Sequence, residues 1–191
     1  DFYKTSFSNQ IYPDYFLNPL EVFVENFEGV SKSNSMQAEI GMEILKTVGI
    51  KIAYNYLDVF QMHGEEKFIL PFNSKHHLLN TLSYRPIDKN WYFDINTHWS
   101  GKKKLSNTST YPTEYQRQNM SDPYWLMNGQ FTIEIPSFNL EVYLGCENIF
   151  DFRQEYPIIS WEEPFGEYFD ISNVWGPTKG REFYLGIRLK R

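Results

Sequence analysis

Phe138-Asn-Leu-Glu-Val-Tyr-Leu-Gly-Cys-Glu147 decides the fold of this 191-residue chain. Phe138, Leu140, Val142, Leu144 and Cys146 share one side of an extended backbone; Asn139, Glu141, Tyr143 and Glu147 share the other. Successive side chains of a strand point to opposite faces, so period two predicts a strand with one apolar and one polar face. The alternation runs outward in both directions. Upstream, Trp125, Met127, Phe131, Ile133 and Ile135 stand against Asn128, Gln130, Thr132 and Glu134. Trp91, Phe93, Ile95, Thr97 and Trp99 stand against Tyr92, Asp94, Asn96, His98 and Ser100. Ile50, Ile52, Tyr54 and Tyr56 oppose Gly49, Lys51, Ala53 and Asn55, and Ala38, Ile40, Met42 and Ile44 oppose Gln37, Glu39, Gly41 and Glu43. Downstream, Phe183, Leu185, Ile187 and Leu189 oppose Glu182, Tyr184, Arg188 and Lys190. Residues 2–11 and 77–84 are weaker strands, the second interrupted by Leu79. Residues 22–27 are extended in character, either a separate strand or, the favoured reading, the upper part of the strand that ends near Leu45.

Eight strands result, joined by connections of alternating length. Those at 46–48, 85–90 and Pro136 are short; those at about 58–76, 101–123 and 149–181 are long. Short turns on one rim and long loops on the other suit an outer-membrane barrel. No apolar run reaches the roughly 18 residues of a membrane helix. Mean hydropathy is -0.51, as alternating strands average to mild hydrophilicity. Trp91, Trp99, Trp125 and Tyr84 stand at the ends of apolar faces, where an interfacial girdle would sit. The net charge of -6 argues against a nucleic-acid partner. The single cysteine, Cys146, excludes an internal disulfide framework and a cysteine-rich zinc site. A soluble barrel alternates too, with its apolar face inside. A complete eight-stranded outer-membrane protein with a structural or adhesive role is also allowed. Period two alone leaves these open.

A set of motifs narrows the choice. Gly145, Asn148, Ile149, Phe150 and Asp151 match G-x-x-N-[LI]-F-[DN], and Gly180, Arg181, Phe183 and Gly186 match G-R-x-[FY]-x-x-G. Gln37-Ala-Glu-Ile-Gly-Met-Glu-Ile44 is similar to a G-x-E strand following an N-x-G-x-x-x-S segment, here loosely Asn26 to Ser33. Leu70-Pro-Phe-Asn-Ser-Lys-His-His-Leu-Leu-Asn80 is similar to L-P-x-x-P-x-H-x-x-N, with Ser74 in place of the second proline. In this order the motifs resemble the C-terminal strands of TonB-dependent outer-membrane receptors. The loop Pro164-Phe-Gly-Glu-Tyr-Phe-Asp-Ile-Ser-Asn-Val-Trp-Gly-Pro177 resembles family members of the Bacteroidetes kind. The chain ends Lys190-Arg191 without the terminal aromatic of many such barrels.

The resemblance implies an all-β, antiparallel transmembrane β-barrel of about 22 strands. The chain, 1–191, would supply about eight C-terminal strands, with the plug domain and TonB box outside it. It implies transport of a scarce nutrient across the outer membrane of a Gram-negative bacterium: siderophore-iron, haem, cobalamin or an oligosaccharide. Implied partners are that small-molecule or glycan nutrient, outer-membrane lipid and lipopolysaccharide, TonB through the N-terminal region, and a surface lipoprotein of the sort some members have. No cofactor and no enzymatic activity are expected.

Polar-face residues are the lumen candidates: Lys51, Asn55, Asp94, Asn96, His98, Asn128, Gln130, Glu141, Tyr143 and Arg188. His98, Asn128, Gln130 and Tyr143 are candidate substrate contacts, with Tyr168 and Trp175 from the last long loop. A solvated wall explains the first group equally, and a self-packed cap explains the loop aromatics Tyr156, Trp161, Phe165, Tyr168, Phe169 and Trp175. Gly145, Asn148, Phe150, Gly180, Arg181 and Gly186 are structural motif positions. Lys102-Lys-Lys104 is a candidate contact for lipopolysaccharide phosphates. His76 and His77 are adjacent and point to opposite faces, so they form no metal pair. His98 and Ser100 share a face but lack an oxyanion-hole signal.

Overall fold

The short connection at Pro136 is a tight turn whose residues suit its backbone. In the computed structural model, which describes residues 1–14 and 23–190, Pro136–Phe138 forms a single 3-10 turn. Pro136 opens it, where its fixed φ fits. Asn139 closes it at φ 49, in the left-handed region that asparagine tolerates. The turn joins β9 (Tyr124–Ile135) to β10 (Leu140–Glu147). β4 (Val30–Ile44) and β5 (Val48–His63) meet at Leu45 and Lys46, both at positive φ. β7 (His76–Tyr84) and β8 (Trp91–Ser100) meet at 85–90. With β1 (Phe2–Ser8) and β11 (Glu182–Leu189) these strands form one antiparallel order, β1-β4-β5-β7-β8-β9-β10-β11. β6 (Glu66–Ile69) pairs with the upper part of β5. β2 (Ile11–Asp14) and β3 (Phe23–Asn26) form a separate ribbon.

The register keeps every alternation in phase. Val142 lies opposite Ile133 and Ile187, and Leu144 opposite Phe131 and Leu185. On the other face Asn96 lies opposite Asn128, and Asp94 between Ser83 and Gln130. One face of the sheet is therefore continuously apolar and the other polar.

Burial shows which face meets solvent. Among the described residues fifteen buried side chains are polar or charged, and only Phe60, Leu105 and Ile159 are buried and apolar. Phe183, Leu185, Ile187 and Leu189 are 65–73% exposed, and Ile40, Met42, Leu144 and Ile133 are also exposed. This inverts the pattern of a water-soluble domain, whose interior is apolar. A soluble barrel would carry its apolar face inside; this sheet leaves that face uncovered. A closed eight-stranded barrel would need β1 to pair with β11, and the order runs from one to the other without that pairing. The apolar side of β9 from Trp125 to Ile135 covers about 33 Å of strand, which a tilt near 40° reduces to about 25 Å, the height of a barrel's lipid band.

Two sequence expectations need correction. Residues 23–26 do not continue the strand that ends at Ile44; they pair with β2 in their own ribbon, and Phe27–Gly29 separates them from β4. A Cβ at Gly29 would strike the Phe27 ring and the Met62 carbonyl, so only glycine fits where the chain enters β4. Val22 lies outside the described residues. Residues 58–76 are also not simply a loop, since β5 continues to His63 and turns at Gly64, at φ 61, into β6. Up to Tyr56 the outward residues of β5 are apolar; beyond it the same positions hold Asp58, Phe60 and Met62, and Leu57 and Val59 fall on the opposite face, so the sequence no longer separates an apolar from a polar side.

Candidate functional site

Cross-strand polar pairs line the inner face. Lys51 meets Glu39 at 2.8 Å, Thr81 Oγ1 donates to Asn96 Oδ1 at 3.0 Å, and Arg85 reaches Asp94 at 3.7 Å. Near the short-turn rim Arg188 and Lys190 hold Glu141 at 3.0 and 2.7 Å, and Lys190 also holds Glu134 at 2.7 Å. Two partners offset the cost of burying Glu141. Lys51, Asp94, Glu141 and Arg188 are thus already paired within the wall.

Two hollows of about 250 Å³ open on this face. One collects Asn128 and Gln130 with Thr81, Asp94, Asn96 and Tyr184. The other holds His98 with His77, Gln37, Asn55 and Leu79. The His77 and His98 rings stack in parallel, 5.6 Å apart. Sequence gave no sign of this pair; it follows from the register, which sets Leu79 opposite His98 and His77 opposite Ser100. Ser100 is buried with its Oγ unpartnered, so His98 does not activate it. Among the described residues no group of three or more His, Cys, Asp or Glu side chains could hold a metal ion.

Two motif glycines seat two tyrosines. Tyr143 lies opposite Gly186, and Tyr184 opposite Gly145. A Cβ at Gly186 would enter the Tyr143 ring, and one at Gly145 the Tyr184 ring. Missing side chains let each ring lie flat along the wall. Tyr184 then donates to Gln130 Oε1 at 3.1 Å, and Arg188 stands 5.6 Å from the Tyr143 ring.

The other motif residues form a latch at the base of the last long loop. Asn148 Nδ2 donates to the carbonyls of Phe152, at 2.8 Å, and Lys179, at 3.2 Å, while its Oδ1 accepts from Phe152 N at 3.1 Å. Its backbone N–H donates to Asn128 Oδ1 at 2.9 Å. Asp151 Oδ1 accepts from Arg181 N at 2.7 Å, and Arg181 Nε donates to the Ile149 carbonyl at 3.0 Å. The Arg153 guanidinium and then the Arg181 N–H lower the Asp151 carboxyl's pKa. A Cβ at Gly180 would press on the Asp151 and Arg153 side chains as they are placed. Phe150 is exposed beside the latch and does not join it.

Beyond the latch the loops at 101–123 and 148–181 enclose a cleft of about 550 Å³. Arg117, Gln118, Asp122, Phe152, Tyr156 and Trp175 are among its lining residues. Lys103 ties the loops together: its Nζ donates to the Trp175 carbonyl at 2.6 Å and lies over the Tyr124 ring. Tyr124 stacks on Phe152 at 4.9 Å, with Trp175 packed against both. Gln154 is buried and spends its whole amide on the loop, accepting from Trp175 N and Gly176 N and donating to the Asn173 carbonyl. Tyr168 packs against Tyr111 and Tyr115. Burial, then Asp170, raises the Tyr111 hydroxyl's pKa. Tyr168 and Trp175 therefore belong to packed clusters, whereas Tyr156, Trp161 and Phe165 are 70%, 59% and 98% exposed and cap nothing. Arg117, Gln118 and Asp122 carried no sequence signal, because loop closure alone brings them to Trp175.

Neither a family model nor a curated protein matches the sequence. Solved structures do. The pyoverdine outer membrane receptor FpvA of Pseudomonas aeruginosa PAO1 is 16% identical, with a TM-score of 0.66 over 100% of this chain and 26% of that one. The ferric-catecholate import receptor Fiu of E. coli K12 is 14% identical, with a TM-score of 0.64 over 96% of this chain and 24% of that one. The FrpB iron transporter of Neisseria meningitidis is 13% identical, with a TM-score of 0.61 over 97% and 27%. The fold is that of an outer-membrane receptor barrel. This chain spans about a quarter of the length of those receptors. In a receptor barrel wall the apolar face meets lipid and the polar face the lumen; the apolar face of this sheet is likewise exposed.

Proposed function

We propose that this chain is the C-terminal part of the barrel of a TonB-dependent transporter in a bacterial outer membrane, taking up a scarce small-molecule or glycan nutrient. The observation that carries this is the exposed apolar band backed by a paired polar wall, closed at its outer rim by the Asn148–Asp151–Arg181 latch. Capture takes place at the outer cleft, where Trp175 and Tyr156 offer aromatic surface and Gln118 and Asp122 offer polar groups. His98, Asn128, Gln130 and Tyr143 line the route inward. A plug domain and the TonB contact belong to a region upstream of these strands. Siderophore-iron, haem, cobalamin and oligosaccharide remain the candidate ligands, and the Bacteroidetes affiliation rests on the 164–177 loop alone.

The test is the denatured mass of the native polypeptide recovered from a membrane fraction. A mass several times the 22.8 kDa of this chain is expected. A mass near that value, or recovery only in the soluble fraction, would sink the transporter reading.

A further inference from the structure

The hollow at His77 and His98 gathers groups whose charge the wall does not match. Register sets Gln37, Asn55, His77 and Ser100 in one inward row, and Glu39, Ala53, Leu79 and His98 in the next. The two imidazoles stack 5.6 Å apart at an interplanar angle of 3°. The Ser74 backbone hydrogen-bonds the His77 ring, whereas among the described residues no hydrogen bond reaches the His98 ring. The other groups acting on the pair are cationic or imidazole: Lys103 acts on both rings and His76 on His77. Lys103 bonds a neutral group there, the Trp175 carbonyl, so its charge is not cancelled. From β9 the pair is faced by Leu126 and Tyr124. The carboxylates nearby in the strand order are engaged elsewhere. Glu39 is bound to Lys51 at 2.8 Å, and Asp94, four residues from His98 on β8, is reached by Arg85 at 3.7 Å. Lys75, two residues before His77, is bonded to Asp58 at 2.7 Å. A proton taken up by either ring thus meets positive neighbours and no free carboxylate, an arrangement that calls for a counter-charge.

We propose that the His77–His98 hollow binds the oxyanion group of a small soluble ligand, a carboxylate or a tetrahedral anion, with the imidazoles protonated. The proposal rests on the transporter reading above and gives the chemistry of His98 on the inward route. An oxyanion in this hollow of about 250 Å³ supplies the missing counter-charge. It accepts from the ring N–H groups and from the Asn55 and Gln37 amides that line the same hollow. Hydrogen bonds between ionised partners are shorter and roughly twice as strong as neutral ones. Binding and protonation are linked: the anion favours the charged rings, and the charged rings favour the anion by the same factor. Affinity therefore rises as pH falls through the imidazole range. The neighbouring hollow at Asn128 and Gln130 is the poorer anion site, because Asp94 places a carboxylate in its lining.

The experiment is a sulfate titration of the full-length protein in detergent micelles, followed by the ring NMR signals of isotope-labelled histidine and assigned with His77→Gln and His98→Gln. Sulfate keeps its charge from about pH 8 to about pH 5.5, the span over which imidazole titrates. Both assigned signals are expected to move, with affinity about tenfold or more higher at the acid end. Each variant, folded as judged by its heat-modifiable band, should lose most of that gain. Equal affinity at both ends, movement of other histidines only, or a folded His98→Gln variant that binds as the parent does overturns the proposal. If the rings only brace the wall, the variants unfold at lower urea concentration with sulfate binding unchanged, and the proposal fails. Acetate at about pH 6.5, where it is ionised, is the second probe. Tighter acetate assigns a carboxylate ligand to the site, and tighter sulfate a tetrahedral one. A chain that proves water-soluble yet binds sulfate at the pair overturns the transporter reading and upholds this site; a membrane-inserted chain indifferent to sulfate overturns the site alone.

Discussion

The wall and the 148–181 loop obey opposite burial rules within one chain. In the wall, Leu185 and Ile187 are exposed while Glu141 and Thr132 are buried. In the loop, Ile159 is fully buried and hydrogen bonds converge on Gln154, Asp170 and Asn173, as in a small water-soluble domain. Both regions minimise the same free energy; on the proposed placement the solvent differs. Lipid leaves no gain in hiding a leucine, whereas water does. The hairpin of β4 and β5 keeps one register along its whole length, and its outward positions change from Ile50, Ile52 and Tyr54 to Asp58 toward its upper end.

The sharpest way to break this comparison is Leu185→Arg. On a water-exposed surface the change would be nearly neutral. On the lipid face at mid-band it should cost about 2–4 kcal/mol, read from urea titration of barrels folded into vesicles. An unchanged midpoint would remove the lipid from this face. Ile159→Ala tests the other regime. It should cost about 2–4 kcal/mol, the usual loss for a buried isoleucine, and confine faster hydrogen exchange to 148–181. Spread of that exchange into β10 or β11 would show the two regions to be one cooperative unit.

Asn148→Ala addresses the joint between them. Losing its side-chain bonds should cost about 1–3 kcal/mol and make the loop open to protease while the barrel still runs as a folded band. An uncut loop would mean that Asp151 and Arg181 suffice as the latch. The smallest effect concerns Asp58, in the part of β5 that lies in water. Burial opposes its charge, but the hydrogen bonds of Lys75 and then Lys67 outweigh it, so its pKa is lowered from 3.8. A carboxylate with a depressed folded pKa stabilises above its unfolded value and loses that contribution as pH falls through the folded one. Protection of the β5–β6 hairpin should therefore be flat from neutral pH down to about 4 and then decline, by no more than about 1 kcal/mol. In Asp58→Asn the hairpin's acid decline should disappear.

Much of the wall was legible because period two is a local property. Trp91–Ser100 and Tyr124–Ile135 form the expected strands at the expected ends. The turn at Pro136–Asn139 was legible too, since proline and asparagine carry their own backbone preferences. The 23–26 ribbon was not, because the fit of the chain at Gly29 depends on what packs across it. Of the candidate site residues, Asn128 and Gln130 come together, while His98 lies in a separate hollow and Trp175 in the loop cleft. Sequence placed His98 on a face but could not supply His77, its stacked neighbour on another strand.

By itself the sequence determined which residues share a face, where strands turn and which motif positions recur, because alternation and turn chemistry act within a few residues. Which face is left uncovered, and that Gly145 and Gly186 make room for Tyr184 and Tyr143, was decided only in the tertiary structure. So was the meeting of Lys103 with Trp175, 72 residues apart. Each depends on register, curvature or loop closure, and those are settled between strands rather than along one.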